Sequence, residues 1–360
     1  MNVISISLAA FLVSFVPCMA DAPPTASALP DTGMTKSYTK SFGEDSDYHG
    51  SDPSWSAPHD GTVTDLITGL TWQTSDGGEM TWEMAVDYAK SLKLANHDDW
   101  RLPTSMELLS IMDHSRHAPA MNTTIFPPST ARYWWTLSPR ADDPTRIWVV
   151  NAGGGIGAHL KSMTPSAGGD RPVHVRCVRG PKRLLTGPSL SKSAPASVTD
   201  SQTGLTWQTN PPTTPMTWEQ AISYCESLNH EGHDDWRLPN IKELRSLSDD
   251  GKIHPSFDTT LLTQASTFLY WSSSTQCNTP SRAWMVDFDT GLVTYHDKSD
   301  TLLVRAVRGG SAIPGPTNKP SPNPADLIDP HPKPQPKPKL HQPDTTPKPV
   351  DSPVQAPVSH

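Results

Sequence analysis

The sequence is poor in cysteine, in hydrophobic residues and in basic charge. Its 360 residues include 4 cysteines and 35% hydrophobic residues, and 29 Lys and Arg stand against 37 Asp and Glu. Because phosphate contacts need a surplus of Lys and Arg, this balance argues against a nucleic-acid partner. No apolar run reaches the roughly 20 residues of a membrane-spanning helix, so we expect no transmembrane span in the mature chain.

Sequence motifs of catalysis and metal binding are also missing. The chain has no Gly-x-Ser-x-Gly, no glycine-rich phosphate loop and no His-Glu-x-x-His. The His-Asp-Asp tripeptides at 97–99 and 233–235 have no second cluster at ligand spacing, whereas zinc needs about four ligands and calcium six or more. We expect these aspartates to order a turn or to pair with Arg101 and Arg237. The sequence therefore predicts no catalytic residue, no metal and no cofactor.

Proline, in contrast, is abundant, and it marks the C-terminal end. The chain has 38 prolines, about twice the usual share. Residues 310–360 contain no aromatic residue, and Pro and Lys alternate over 332–339. Such a segment has nothing to bury and favours polyproline II. We predict a disordered tail that acts as a spacer, as a tether through the cell wall or as a ligand for a proline-binding partner.

The N-terminal end indicates export. Residues 1–20 are uncharged, with an apolar run over 3–16 and small residues before position 21. We predict a signal peptide, or alternatively an anchor that stays attached, followed by an extended, disordered segment over 21–60. The protein is then expected in the periplasm, at the cell surface or outside the cell, where cysteines can pair.

An internal repeat organises the rest of the chain. Residues 68–74, 80–83 and 97–103 recur at 203–209, 216–219 and 233–239. A spacing of well over 100 residues indicates tandem domains, which we place at 61–180 (copy 1) and 198–309 (copy 2), joined by a linker at 181–197. We align Tyr133-Trp134 with Tyr270-Trp271, which leaves Trp135 without a counterpart.

Each copy is predicted to be α+β. Hairpins are expected at 62–65 with 70–73 and at 198–200 with 205–208. Thr81 is expected to cap a first helix, whose equivalent in copy 2 has Trp218, Ala221 and Cys225 on one face. Thr104 and Glu107 form a capping box for a second helix, with Asn240 and Glu243 as its equivalent. Strands over 284–288, 292–295 and 302–308 complete a small antiparallel sheet.

These residues resemble the Lcl C-terminal domain family, whose hallmarks include Thr-Gly-Leu-x-Trp, Asp-Asp-Trp-Arg-Leu-Pro-x-x-x-Glu-Leu and Val-Arg-Cys-Val-Arg. Residues 29–33 look like the lead-in of that family. The two helices and the terminal strand also look like the C-type lectin-like fold. The resemblance implies non-catalytic binding of a glycan or protein ligand at the cell surface, with sulfated polysaccharide binding and adhesion described for the namesake. A structural or pilus-associated envelope protein and a degenerate enzyme of the sulfatase-modifying type are the alternatives.

The resemblance further implies a disulfide between the first helix and the last strand, and each copy lacks one partner. Copy 1 has Ala89 opposite Cys177, and copy 2 has Cys225 opposite Ala306. Three possibilities stay open: a Cys177–Cys225 bridge between the copies, a Cys225–Cys277 bridge within copy 2, or unpaired thiols.

Two groups of residues are singled out for binding or for structure. Copy 1 has less acidic excess than copy 2, and its loop arginines suit sulfate or carboxylate groups. The candidate ligand residues are Arg116, Arg132, Trp135, Arg140 and Arg146, with Arg171 beside them. For Trp135 the default is core packing and the alternative is a sugar-stacking platform, and for the arginines the alternative is that they are scattered and solvated. The candidate structural residues are Trp82, Trp100, Arg101, Trp218, Trp236 and Arg237.

Overall fold

The computed structural model describes residues 29–181, 187–263, 268–310 and 313–314. The predicted signal peptide and most of the predicted tail lie outside these residues. Within the described part, no helix is long and apolar enough to cross a membrane. The described elements are four short helices among mostly antiparallel strands, so the α+β prediction is confirmed.

Residues 29–60 are folded, which corrects the prediction of a disordered N-terminal segment. They contain strands β1 (Tyr48–His49) and β2 (Trp55–Ser56) and a short 3-10 turn over Asp45–Asp47. The segment packs against copy 2: the Thr275 hydroxyl donates to Glu44, and Lys242 Nζ donates to the carbonyl oxygen of Asp31 at 2.7 Å. These partners lie about 200 residues away along the chain, so local composition could not reveal them.

Copy 1 opens with the predicted hairpin. Its strands pair around Gly69, whose φ of 70° suits glycine. Thr81 caps the first helix and the Thr104–Glu107 capping box begins the second, as predicted. The elements of copy 1 are β3 (Thr62–Asp65), β4 (Thr71–Gln73), α1 (Trp82–Ser91), α2 (Ser105–Ser110), β5 (Tyr133–Pro139), β6 (Arg146–Asn151), β7 (Ile156–Leu160), β8 (Val173–His174) and β9 (Val178–Arg179).

Copy 2 repeats this order, but its first sheet begins inside the predicted linker. Strand β10 (Leu190–Ala194) pairs with β11 (Ser197–Asp200), so part of 181–197 belongs to the fold. The elements that follow are β12 (Leu205–Gln208), α3 (Trp218–Ser227), α4 (Ile241–Ser246), β13 (Leu269–Thr275), β14 (Arg282–Asp287), β15 (Leu292–Asp297) and β16 (Val307–Gly309). Beyond them, β17 (Ile313–Pro314) pairs with β1, so the predicted tail starts with an ordered pair of residues.

The two copies join through equivalent elements. β7 pairs with β15 where Ile156 meets Val293, and a seven-stranded sheet runs through both copies in the order β13-β14-β15-β7-β6-β5-β8. The equivalent helices α2 and α4 also contact each other. An interface in which each element meets its own counterpart has the pattern of a two-fold symmetric dimer, here within one chain.

Buried charged side chains of copy 2 contact copy 1 across this interface. The side chains of Arg245 and Asp250 are 0% and 1% exposed and form an ion pair. The Ser105 hydroxyl of copy 1 donates to Asp250 at 2.6 Å. Lys242 Nζ donates to the Ser110 carbonyl oxygen at 2.9 Å, and burial lowers the pKa of Lys242 to about 8. Because an unpaired buried charge is costly, these contacts hold copy 2 on copy 1.

Candidate functional site

Most of the candidate loop arginines are already paired with carboxylates. Arg116 lies 2.7 Å from Asp113, Arg140 lies 2.6 Å from Asp142, Arg146 lies 3.3 Å from Asp143, and Arg171 lies 3.8 Å from Asp170. Arg132 is exposed and makes no ion pair within the described part of the chain. These arginines therefore do not form one unneutralised cationic surface, and Arg132 is the member with charge left for a ligand.

Arg132 lines a groove of about 200 Å³ on copy 1, which we call the arginine groove. Its apolar walls include Pro119, Phe126, Pro127 and Trp134. The loop position of Arg132 was predictable from the sequence, but the groove itself depends on how the loop over 118–132 folds back.

Arg176 is the second cation of the arginine groove, and sequence reasoning missed it as a site residue. It is 1% exposed, and its guanidinium lies 5.0 Å from the ring centre of Phe126. Its Nη1 donates to the carbonyl oxygen of Gln73 at 2.9 Å and also to that of Thr74, while its Nε has no partner in the described structure. Desolvation lowers the pKa of Arg176 to about 10.

A network around Asp76 supports the arginine groove. His174 Nδ1 lies 2.9 Å from the carboxylate, Ser129 Oγ donates to it at 2.5 Å, and Trp134 Nε1 donates at 3.3 Å. Burial would raise the pKa of Asp76, but the hydrogen bonds from His174 and Ser129 outweigh it and hold that pKa well below its usual range. The carboxylate thus stays charged beside Arg176, 3.8 Å away.

Thr130, His174 and Asp76 follow the order of a nucleophile, a base and an orienting acid. His174 Nε2 lies 3.4 Å from the Thr130 hydroxyl, which is longer than the about 2.6–3.2 Å of an activated nucleophile. We interpret this line of contacts as the support that fixes the loop carrying Ser129 and Arg132.

Copy 2 lacks this network. Leu303 stands in the place of His174 and Pro211 in the place of Asp76. The equivalent Arg305 donates through Nη2 to the carbonyl oxygen of Thr263 at 2.7 Å. The network of Asp76 and His174 is therefore specific to copy 1, whereas Arg176 of the arginine groove keeps the counterpart Arg305 in copy 2.

Of the two interpretations of Trp135, core packing is confirmed and the stacking platform is wrong. Trp135 is 0% exposed, and its Nε1 donates to the Met80 carbonyl oxygen at 2.8 Å. Trp271 is also 0% exposed, and its Nε1 donates to the Met216 carbonyl oxygen at 2.9 Å. Trp135 and Trp271 are thus counterparts, and the repeat alignment shifts by one residue, so that Trp134 corresponds to Tyr270.

The residues expected to be structural lie in the two cores. Trp82 is half-buried, and the other tryptophans are buried. The indole N–H groups of all four donate to backbone carbonyl oxygens: Trp82 to Thr136, Trp100 to Leu94, Trp218 to Ser272 and Trp236 to His230.

The expected partners of Arg101 and Arg237 need correction. Arg101 binds Glu107 through two hydrogen bonds of 2.7 Å. Arg237 binds Glu243 in the same way at 2.6 and 2.7 Å. The aspartates pair elsewhere: Asp98 with Lys93, Asp99 with Arg179 and Asp235 with Arg308. The tripeptides thus tie their turn to the last strand of each copy, while the arginines hold the second helix.

The described cysteines are free thiols. Cys177 and Cys225 are buried in two separate hydrophobic clusters, each beside the alanine of its own copy, Ala89 and Ala306. Burial raises the pKa of Cys177 to about 12. Cys277 is partly buried. The structure therefore contains neither of the two bridges considered from the sequence.

No group of three or more His, Cys, Asp or Glu residues within the described ranges is placed to hold a metal ion.

Residues 61–179 and 196–308 match the Lcl C-terminal domain. These two matches cover more than half of the chain, which therefore belongs to the Lcl C-terminal domain family and carries two tandem copies of the domain. No curated protein matches the chain.

Proposed function

We propose that this protein is a non-catalytic binding protein, exported to the cell envelope or beyond it, that recognises a glycan or protein ligand through the arginine groove of copy 1. The observation that carries the proposal is the buried Arg176, whose Nε has no partner and which lines the same groove as the exposed Arg132. A C-type lectin-like fold for each copy belongs to the same proposal. Its support is the presence of both short helices and of a terminal strand paired with the first hairpin.

The chemistry of the arginine groove suits an acidic group on a partly apolar ligand. A guanidinium offers planar N–H donors that match the oxygens of a carboxylate or sulfate. Phe126, Pro127 and Trp134 provide apolar walls against which a sugar ring or an aliphatic side chain could pack. The Asp76 network holds Arg176 in place before a ligand arrives, which reduces the ordering cost of binding.

A glycan array with the full chain tests this proposal, at low and at physiological salt. We expect salt-sensitive binding to acidic glycans, and we expect Arg132→Ala to weaken it about tenfold, as the loss of one charge-assisted contact implies. Lys93→Ala is the matched control, because it removes one exposed cation of copy 1 that is paired with Asp98 outside the groove. Absence of binding to any acidic glycan would overturn the glycan half of the proposal, and equal binding by Arg132→Ala would overturn the role of the arginine groove.

A further inference from the structure

A second cavity lies between the two copies. It has a volume of about 240 Å³, and it combines His117 and Asn151 of copy 1 with Gln276, Asn278, Trp284 and Tyr295 of copy 2. We call it the inter-copy cleft. Neither copy alone contains it, and its lining has amides and aromatic rings but no Lys, Arg, Asp or Glu.

Gln276 places an unused acceptor in the inter-copy cleft. The residue is 8% exposed, and its backbone N–H donates to the Arg282 carbonyl oxygen at 2.9 Å. Its side-chain Oε1 is buried without a hydrogen-bond partner among the described residues. A buried amide oxygen without a partner costs free energy, and a ligand that donates to it would remove that cost.

Asn151 faces the same cleft with its donor available. Its Oδ1 accepts from the backbone N–H groups of Gly153 at 2.8 Å and Gly155 at 3.1 Å. These two bonds fix the orientation of the amide, so its Nδ2 is the group left to donate. Asn278 adds a second, exposed amide at the rim.

Aromatic rings form the remaining wall. The ring of Trp284 meets that of His114 of copy 1 at 5.3 Å and that of Tyr295 at 5.8 Å, both edge to face. Tyr295 is 39% exposed, and the Arg282 guanidinium lies over one face of its ring at 5.1 Å, so a ligand would stack on the other face. Exposed aromatic rings next to amides suit the C–H faces and hydroxyl edges of a sugar ring.

The pseudo-symmetric position on the other side of the interface is chemically different. Arg140 and Asp142 stand there in the places of Gln276 and Asn278, and they satisfy each other through hydrogen bonds of 2.6 and 3.0 Å. The backbone fold is the same on both sides of the interface. The neutral, unpaired lining of the inter-copy cleft therefore results from its particular side chains and not from the fold.

We propose that the inter-copy cleft binds one neutral sugar residue, with Gln276 Oε1 and Asn151 Nδ2 as hydrogen-bond partners and Tyr295 as the stacking face. The inference rests on the proposed binding function and adds a second, uncharged specificity to it. A volume of about 240 Å³ is below the about 300–1,000 Å³ of sites for drug-sized ligands, so it fits a single ring at a chain end or branch. We expect binding here to be insensitive to salt, because no Lys, Arg, Asp or Glu side chain lines the cleft.

The test is saturation-transfer NMR with the full chain and the methyl glycosides of glucose, galactose, mannose and N-acetylglucosamine, at low and high salt. We expect one or more to bind at millimolar concentration without salt dependence. Gln276→Ala and Tyr295→Ala should each weaken that binding about tenfold. His296→Ala is the matched control, since adjacent residues of a strand point to opposite faces and His296 pairs with Asp300.

The outcomes separate the two proposals. Binding of acidic glycans through Arg132 with no signal from any methyl glycoside overturns the cleft and leaves the arginine groove standing. Glycoside binding that survives both cleft variants also overturns it, because the sugar would then lie elsewhere. Near-UV circular dichroism of each variant shows whether the aromatic core is retained, and Gln276→Glu provides a second variant that keeps the side-chain size while placing a charge in the cleft.

Discussion

His114 of copy 1 and its counterpart Asp250 of copy 2 occupy equivalent positions at the interface, but they are stabilised there in different ways. His114 is 1% exposed, its Nε2 lies 3.2 Å from the carbonyl oxygen of Gly154, and its ring contacts Trp284 of copy 2. Desolvation, together with the nearby Lys242 charge, lowers its pKa to about 3. Asp250 at the equivalent place stays paired with the buried Arg245. The same interface position is therefore held by a histidine that contacts an aromatic ring in copy 1 and by an ion-paired aspartate in copy 2.

Acid should lower the free energy of unfolding through protonation of His114. Its pKa is lower when folded than the about 6.5 of an unfolded histidine, so the unfolded chain binds the proton first and stability falls as the pH drops from 7 towards 3. We expect His114→Leu to remove this component: relative to the wild type, its free energy of unfolding should improve by about 2 kcal/mol between pH 7 and pH 5.

Urea unfolding at both pH values measures this difference, and His49→Leu at an exposed position is the control. A difference between His114→Leu and the wild type that does not change with pH would contradict the assigned role of the buried imidazole.

Residue roles were predicted where they depend on neighbours along the chain, and missed where they depend on distant ones. The caps at Thr81, Thr104 and Asn240 follow from local sequence and are confirmed. The burial of Trp135 depends on the register of β5 against β6, which sequence identity between the copies misplaced by one residue. Gln276 carried no signal as a site residue, because its cleft forms only when the two copies meet.

The second helix of each copy is an element that could not stand alone. α2 and α4 have 6 residues each, far below the about 12–15 residues at which isolated helices become marginal. Each begins with a capping box whose glutamate also binds the arginine of the Arg-Leu-Pro motif. The motif thus supplies the cap, the charge and the sharp entry of the helix together.

Breaking this arrangement should cost more in copy 2 than in copy 1. The Arg237 side chain is 4% exposed and that of Arg101 is 17% exposed. Glu243→Gln leaves a deeply buried guanidinium without its counter-charge, so we expect a loss of about 3–5 kcal/mol. Glu107→Gln should cost less, because water reaches Arg101. Urea unfolding of both variants measures the contrast, and equal losses would show that burial of the arginine does not set the cost.

The order of elements was predictable, and their boundaries at the joints were not. Both first hairpins, all four helices and the turn between β14 and β15 lie where the sequence placed them. Strand β10 and the N-terminal segment were missed because a Ser- and Pro-rich composition is typical of a linker. Their folded state depends on partners that local composition does not show, namely strand β11 for β10 and Lys242 of copy 2 for the N-terminal segment. Tertiary pairing overrode local propensity at both places.

At the scale of the whole molecule, the tandem repeat has become one unit with internal two-fold character. Equivalent strands β7 and β15 and equivalent helices α2 and α4 meet across the interface. Arg245, Asp250 and Lys242 are buried there, and separation of the copies would leave them without Ser105 and Ser110. The same interface forms the inter-copy cleft, so the second proposed binding site exists only when the two copies are joined.

Gly155 lies at the strand junction. A Cβ at this position would come within 2.9 Å of the Val293 carbonyl oxygen and within 2.8 Å of Asn151 Nδ2. Gly155→Val therefore acts at the strand pairing between the copies, where the added side chain also meets Trp284, and it provides the variant with which the joining of the copies can be measured.

Scanning calorimetry of the full chain tests the central claim most directly. If the copies form one unit, the wild type unfolds in a single transition whose calorimetric and van't Hoff enthalpies agree, and Gly155→Val separates it into two transitions. Two independent transitions in the wild type, with Gly155→Val unchanged from it, would contradict the account, because the copies would then be separate domains and the inter-copy cleft would not be a fixed site.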